Sequence, residues 1–498
     1  MDDKYLKVVE RLEELSRNGL GAEVRKQMQN LVVVKVPRQY RLPLANLARR
    51  NNLPLMSIRL LNPIVRSERA LDVPASYQEL AEYASSLLYI GAGKEAEELL
   101  SSLDPSQIPR VLLYRSFSCF GRWEYERAIP LLMEYIEREP DPYLNTVGEI
   151  NLAAAKVFLG HEDVESLLES LRTKTRDREY WLLHGNSLEL SALMTLSNKQ
   201  YRDTKKFLNE AAVVLEKSQS LNDLFVRKWR AILSLHQDPD SKEAAKQVQK
   251  IKAEGAKYQN WETVRDCEFH LAVETKNQDL FGRVYFGTPY PAYRQTMRDK
   301  IPRQWKIPDE YLLASTSAAN PQLVLDLKLG KETHGRFELK PGQLLHRALV
   351  LLIEDFYHPK RVGTLHSELF PDSYFNPVSS PNRIYQVISR LRQWAEGTNV
   401  PLSIKEDNGY YWARVLAGLG VLVREEKTLA SEVSPNQTLI NRLQEQRIEE
   451  FSAKQACDSL GLSRSSFNRF AKWAIDEGVL EKRGQSSATH YRLIKNAA

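Results

Sequence analysis

A row of polar residues near the C-terminus is of the types that bind nucleic acids. Arginine and asparagine side chains pair with the edges of guanine and adenine, and lysine neutralises phosphate. Helical spacing places the row on one side of a predicted helix whose other side is apolar from Phe467 to Ala474. The predicted contact residues are Arg464, Ser465, Ser466, Asn468, Arg469 and Lys472.

A helix-turn-helix at 451–478 would position this row. A short helix and a glycine turn come first, Ser463 is the expected N-cap of the second helix, and Gly478 is its expected left-handed C-cap. Residues 479–494 predict a strand, a wing and a strand, and 435–446 predict a preceding helix. The wing region adds basic residues suited to a phosphate backbone. These are Lys482, Arg483 and Arg492.

This terminal unit resembles the MarR-like and GntR-like winged-helix families in general pattern. The resemblance implies that the second helix enters a DNA major groove. Residues 452–498 contain eight Lys or Arg and four acids, and this local excess of +4 accounts for most of the net charge of +6. A basic excess of this kind is typical of a surface that faces phosphate.

A second predicted domain precedes this terminal winged helix. Period-two patterning at 323–339 predicts a β-hairpin around a turn at 330–335. Three helices and a hairpin wing follow, at 340–353, 363–370, 380–392 and 402–414. Ile388–Arg392 and the Gly409-Tyr410 pair give residues 323–415 a resemblance to the effector domain of OmpR/PhoB-type response regulators. That resemblance implies a winged helix whose third helix reads DNA.

The predicted third helix has an apolar side and a polar side. Ile384, Val387, Ile388 and Leu391 are the side expected to be buried. The predicted DNA contacts are Asn382, Arg383, Gln386, Ser389, Arg390 and Gln393, with Tyr410 of the wing. Glu406 and Asp407 stand where the family often has basic residues, and acids repel phosphate. A dimerisation or docking role is therefore the alternative for this domain.

Residues 1–285 show almost only helical periodicity, with a loose repeat of 32 to 40 residues. Each copy has a small or β-branched anchor residue: Ser57, Ala96, Ala128, Val164, Thr204 and Ala244. The pattern resembles tetratricopeptide-type arrays, in which neighbouring helix pairs stack and leave a concave surface. The resemblance implies a protein, peptide or small-molecule ligand.

Composition and motifs speak against several classes of protein. Three distant cysteines provide neither a disulfide framework nor a zinc site, and they fit a reducing cytoplasm. No apolar run approaches the roughly 20 residues that span a bilayer. The stretch Gly91–Lys94 resembles a phosphate loop, but Glu95 replaces the required Ser or Thr. We therefore expect no enzyme activity, no cofactor, no metal and no membrane association.

The predicted fold is mainly α, an α-solenoid of tetratricopeptide-like helix pairs followed by two small α+β winged-helix domains. The expected domains are the repeat array at 1–285, a proline-containing linker at 286–321, the first winged helix at 322–416, a linker at 417–434 and the second winged helix at 435–498. The predicted function is a cytoplasmic transcription regulator that binds duplex DNA. The alternative is a scaffold whose winged helices contact proteins such as RNA polymerase or a chromosome-organising complex, and a homodimer is compatible with either.

Overall fold

The structure is a computed structural model, and its described residues are mainly helical. The structure describes residues 2–17, 21–66, 73–216, 222–315, 321–407, 409–424, 439–440, 443, 450–460, 462, 464–484 and 489–494. The chain forms two compact units, each described by itself. The first unit comprises Met1–Tyr311, Leu351–Gln393 and Leu402–Arg414. The second comprises Leu312–Val350, Trp394–Pro401 and Val415–Ala498.

Helices make up almost all of the described part of residues 1–300. They are α1 (Asp2–Arg17), α2 (Gly21–Gln29), α3 (Arg38–Arg50), α4 (Pro54–Val65), α5 (Tyr77–Ile90), α6 (Gly93–Ser101), α7 (Arg110–Phe120), α8 (Tyr125–Arg138), α9 (Pro142–Leu159), α10 (Val164–Asp177), α11 (Trp181–Ser197), α12 (Tyr201–Glu216), α13 (Asn222–Gln237), α14 (Lys242–Lys257), α15 (Trp261–Glu274), α16 (Gln278–Phe286) and α17 (Pro291–Lys300). A 3-10 turn at Val33–Lys35 precedes α3. None of the helices described is both long and apolar enough to cross a membrane.

Consecutive helices from α3 to α16 pack against one another, and α9, α11, α13 and α15 also contact one another in sequence. The six anchor residues predicted from the repeat are all buried. Two polar anchors find partners on the neighbouring helix: the hydroxyl groups of Ser57 and Ser86 lie 2.7 Å apart, and those of Thr204 and Thr195 lie 3.0 Å apart. These two hydroxyl pairs show that the helices approach closely at Ser57 and Thr204.

The segment predicted as a linker at 286–321 contains α17. Pro291 occupies the first turn of this helix, where its missing N–H costs nothing. Tyr293 and Met297 are one turn apart and buried, and the Tyr293 ring lies 4.0 Å from that of Trp123. A proline-rich stretch that is typical of a linker therefore forms a packed helix, because tertiary contacts bury one face.

Two helices joined by a turn, with a small sheet, form most of the remainder of the first unit. Their elements are β4 (Lys360–Arg361), α19 (Val362–Leu369), α20 (Ser379–Gly397), β5 (Leu402–Asp407) and β6 (Tyr410–Val415), and the last residues of α20 and β6 belong to the second unit. The sheet has the order β4-β6-β5. The helix α18 (Leu344–Ile353) precedes it and begins four residues after 340, at which the sequence predicted the start. The division between the units passes through α18 after Val350.

The second unit contains a four-stranded sheet in the order β1-β7-β2-β3, from β1 (Glu310–Ala314), β2 (Leu323–Asp326), β3 (Lys331–Glu332) and β7 (Leu419–Arg424). The hairpin predicted at 323–339 is shorter than expected, since β3 has two residues. On its other edge β2 pairs in parallel with β7, with Leu323 opposite Leu419. The segment predicted as a linker at 417–434 thus begins with a strand, since Leu419, Val421 and Val423 are buried.

The C-terminal part of the second unit has its own core. Its elements are β8 (Glu450–Ser452), α21 (Ala453–Leu460), α22 (Arg464–Asp476), β9 (Leu480–Arg483) and β10 (His490–Leu493), and the sheet order is β8-β10-β9. The rings of Phe467 and Tyr491 lie 5.1 Å apart in this core. Most of the helix predicted at 435–446, the predicted cap Ser463 and the wing tip at 485–488 lie outside the described residues.

Candidate nucleic-acid interfaces

α22 carries the first candidate interface. Its apolar side is buried as predicted, at Phe467, Phe470, Ala471 and Ala474. On the opposite side Arg464, Asn468, Arg469 and Lys472 are exposed, Ser466 is half-buried, and the side chain of Ser465 is outside the described part. Gly478 ends the helix with φ of +69°, the left-handed conformation that the sequence predicted. The helix therefore exposes a polar row with three cations.

Basic residues on β9 and β10 lie close to one acid. Lys482, Arg483 and Arg492 are exposed, as predicted. However, the guanidinium of Arg483 lies 2.8 Å from Glu481, and Arg492 stands opposite Glu481 in the strand register. Glu481 therefore offsets part of the positive charge of this hairpin, and the cations of α22 are the stronger candidates for phosphate or base contact.

α20 carries the second candidate interface. The predicted inner residues Ile384, Val387, Ile388 and Leu391 are at most 3% exposed. All six predicted contact residues of this helix are exposed: Asn382, Arg383, Gln386, Ser389, Arg390 and Gln393. Tyr385, which the sequence interpretation omitted, is 51% exposed on the same helix. The signal for it was positional, because residue 385 lies three positions after 382 and four before 389.

In the segment predicted as the wing of this domain, β5 and β6, Glu406 and Tyr410 make contacts within the protein. The side-chain oxygen of Glu406 accepts the N–H of Gly409 at 2.9 Å, and so this acid closes the wing turn. Arg361 donates to the hydroxyl of Tyr410 at 2.7 Å, and its guanidinium lies over the Tyr410 ring. Tyr410, a predicted DNA contact, is thus half-buried and engaged with Arg361. The acidic wing is a poor phosphate ligand.

The start of α19 packs tightly on the helices α1 to α17, which we call the array. The sequence did not predict this contact. A methyl group placed on Gly363 would lie 2.3 Å from the carbonyl oxygen of Ile90, at the end of α5. Glu95 of α6 accepts the N–H of Phe375 at 2.7 Å and a hydrogen bond from Arg66 at 2.9 Å. The array therefore covers the amino end of α19 and holds the turn that leads into α20.

A buried ion pair fixes the loop between α18 and α19. Arg265 of α15 donates two hydrogen bonds to Asp355, at 2.8 and 3.0 Å, and both side chains are fully buried. Asp355 also accepts the backbone N–H groups of Tyr357 and His358 at 3.0 Å. The loop between α18 and α19 is thereby locked to the array.

His366 makes the first unit sensitive to acid. Its ring is buried on α19, and its Nε2 lies 2.9 Å from the hydroxyl of Ser380 on α20. Burial, with a smaller contribution from Arg383, lowers the pKa of His366 to about 4. The unfolded chain therefore binds a proton between about pH 6.5 and 4 that the folded chain does not bind.

The contribution of His366 to the stability of the first unit should consequently fall as the pH drops through that window and be constant above it. Urea midpoints measured at intervals from pH 7 to 4 would show this loss. His366→Gln should make the dependence shallower, whereas the same change at the exposed His490 should leave it as it is. Equal slopes for His366→Gln and wild type would contradict the assignment.

The array also has a cleft of about 500 Å³ between α10, α11 and α12. Charged residues of both signs line it, among them Glu169, Arg172, Arg176 and Glu210. Arg172 is already engaged, since it donates to the hydroxyl of Ser191 at 2.6 Å. The cleft could hold a polar ligand that carries both donors and acceptors.

Comparison with protein-family models and with curated proteins identifies no relative. No protein-family model matches the chain, and the curated proteins contain no significant match. Among the residues that the structure describes, no group of three or more His, Cys, Asp or Glu side chains is arranged to hold a metal ion.

Proposed function

We propose that the protein is a DNA-binding transcription regulator. In this proposal the helical array is a tetratricopeptide-like solenoid that senses a protein, peptide or small ligand, and the two helix-turn-helix elements are winged helices that contact duplex DNA. The buried anchors and the sequential packing of the helices support the first part. One observation carries the second: Arg464, Asn468, Arg469 and Lys472 are exposed together on a helix whose opposite side is a packed core.

Affinity and sequence choice would come from different residues. Lysine and arginine side chains that neutralise phosphates give a binding constant that falls steeply with salt. Side chains that reach base edges give discrimination between sequences. The proposal is tested by crosslinking the protein to DNA across the genome, with a chain truncated at about residue 434 as the comparison. Discrete sites that disappear on truncation would support it, and uniform background in both samples would oppose it.

Arg469→Ala should weaken binding to a selected duplex by about 1–3 kcal/mol, or roughly 5- to 150-fold, if this arginine reads a base edge. The measurement is a fluorescence-anisotropy titration at fixed salt. Arg138→Ala is a matched control, because it removes an exposed arginine from α8 in the array. An Arg469→Ala protein with wild-type affinity and an unchanged footprint would count against the role of α22.

A second function is favoured by the first helix-turn-helix. Its wing is acidic at Glu406 and Asp407, and the start of α19 is covered by the array. These features suit a scaffold in which this element contacts protein, for example RNA polymerase or a chromosome-organising complex. A salt titration separates the two functions. Steep salt dependence of duplex binding supports the regulator, and no measurable duplex binding at low salt supports the scaffold.

A further inference from the structure

The most basic part of the chain lies outside both helix-turn-helix elements. Residues 21–66, which contain α2, α3 and α4, carry nine Lys or Arg and a single acid, Glu23. Their net charge of +8 exceeds the +6 of the whole chain. A local excess this large creates a positive potential that attracts polyanions. We call this segment the basic segment.

Part of this charge is neutralised by the array itself. Four of its arginines pair with acids outside the segment, namely Arg38 with Glu79, Arg49 with Glu82, Arg50 with Glu13 and Arg66 with Glu95. Four other cations are exposed, and none has an acidic partner in the described ranges. They are Arg25, Lys26, Lys35 and Arg59. The positive charge that remains is therefore available to a ligand.

Crowding of like charges adds to this potential. Burial, followed by the repulsion of Arg38, lowers the pKa of Arg41. Arg41 directs its Nε to the carbonyl oxygen of Val36. A bound anion would relieve this repulsion, whereas a cationic or neutral partner would not.

The basic segment borders the first helix-turn-helix. The guanidinium of Arg66 lies 3.7 Å from the ring centre of Tyr374, which is in the turn between α19 and α20 and is 60% exposed. Arg59 is exposed on α4 and Arg66 is the residue that follows the helix, so that their Cα atoms lie roughly 10 Å apart along the helix axis. That separation is about three base steps of a DNA strand. All of these residues belong to the first unit.

We propose that the basic segment is a phosphate-binding surface that extends the duplex contact of α20, with Arg25, Lys26, Lys35 and Arg59 as ligands of the DNA backbone. This inference rests on the proposed function. Duplex DNA is the partner because Arg66, at the end of the segment, contacts the turn that leads into α20. Phosphate contact there also supplies what the acidic wing does not, since Glu406 and Asp407 disfavour a backbone on that side.

The test is a triple variant, Arg25→Gln with Lys26→Gln and Arg59→Gln. These side chains are exposed and make no described ion pair, so that the circular-dichroism melting curve should be unchanged. The slope of log binding constant against log salt concentration should become shallower by about 0.9 for each phosphate contact removed. Sequence preference should stay as in wild type, because backbone contacts carry no sequence information.

The matched control removes three lysines from α14, as Lys242→Gln with Lys246→Gln and Lys250→Gln, which are also exposed. Equal salt slopes for the two triple variants would overturn the inference while leaving the proposed function intact. No duplex binding by the wild type at low salt would overturn both. Vesicles of phosphatidylcholine with phosphatidylserine form a third arm. Vesicle binding that depends on the triple, with an unchanged DNA slope, would reassign the surface to an anionic membrane, for which the exposed Val32 and Val34 would be suited.

Discussion

Asp355→Ala should destabilise the first unit by about 3–5 kcal/mol. The substitution leaves the guanidinium of Arg265 buried without its bidentate carboxylate, and the desolvation of that charge is then uncompensated. It also deprives the N–H groups of Tyr357 and His358 of their acceptor. Glu262 lies 3.3 Å from Arg265 and remains, but its side chain is 46% exposed and it is a weaker partner. We therefore expect a loss near the lower end of that range.

Urea denaturation of the full chain, followed by circular dichroism at the helical band, measures the effect, because α1 to α17 contribute most of the helical signal. Glu134→Ala is the control, since it breaks an exposed pair with Arg138 and should cost less than about 0.5 kcal/mol. Replacing both partners, as Arg265→Met with Asp355→Leu, should recover much of the stability. A double variant as unstable as Asp355→Ala alone would show that the charge pair is not the cause.

Phe467→Ala should lower the free energy of unfolding of the C-terminal core by about 3–5 kcal/mol, and α22 should unfold as a result. The Phe467 ring is fully buried between Phe451, Phe470 and Tyr491, with ring centres 5.1 to 6.5 Å away. The C-terminal core is small, and one aromatic side chain is a large part of its apolar surface. The exposed row on the other side of the helix would be lost with it.

Hydrogen exchange measured on peptides from 450–484 of the full chain reports this unfolding without requiring the part to fold alone. Phe467→Leu should give intermediate protection, because it keeps more of the buried volume. Peptides from α1 to α17 should exchange as in wild type. Retained protection of α22 in Phe467→Ala would mean that the cluster does not hold the helix in place.

Helical periodicity allowed the sequence to predict which side of α20 and of α22 is buried. In α20 the predicted inner residues are buried and the predicted outer residues are exposed, and α22 behaves in the same way at its described side chains. The reason is local: a repeat of 3.6 residues turns a pattern of apolar positions into one buried side. Tyr385 was not named, although it lies three positions after Asn382 and four before Ser389.

Contacts distant in sequence were beyond such arguments. The parallel pairing of β2 with β7 joins strands about 95 residues apart, and hydropathy marks each strand but not its partner. Tyr410 has the type and position of a DNA contact, yet Arg361 occupies its hydroxyl from 49 residues away. The helix α17 was obscured by Pro291, because a proline suits both a linker and the first turn of a helix.

The amino-acid sequence by itself determined most of the helices, their buried sides and the polar rows they expose, because these depend on residues within a few turns of one another. Tertiary structure alone decided which surfaces are covered. Gly363 lies against the carbonyl of Ile90, and Asp355 meets Arg265, only because the folded array brings them together. Such close approaches depend on the whole packing of the chain, which no local pattern encodes.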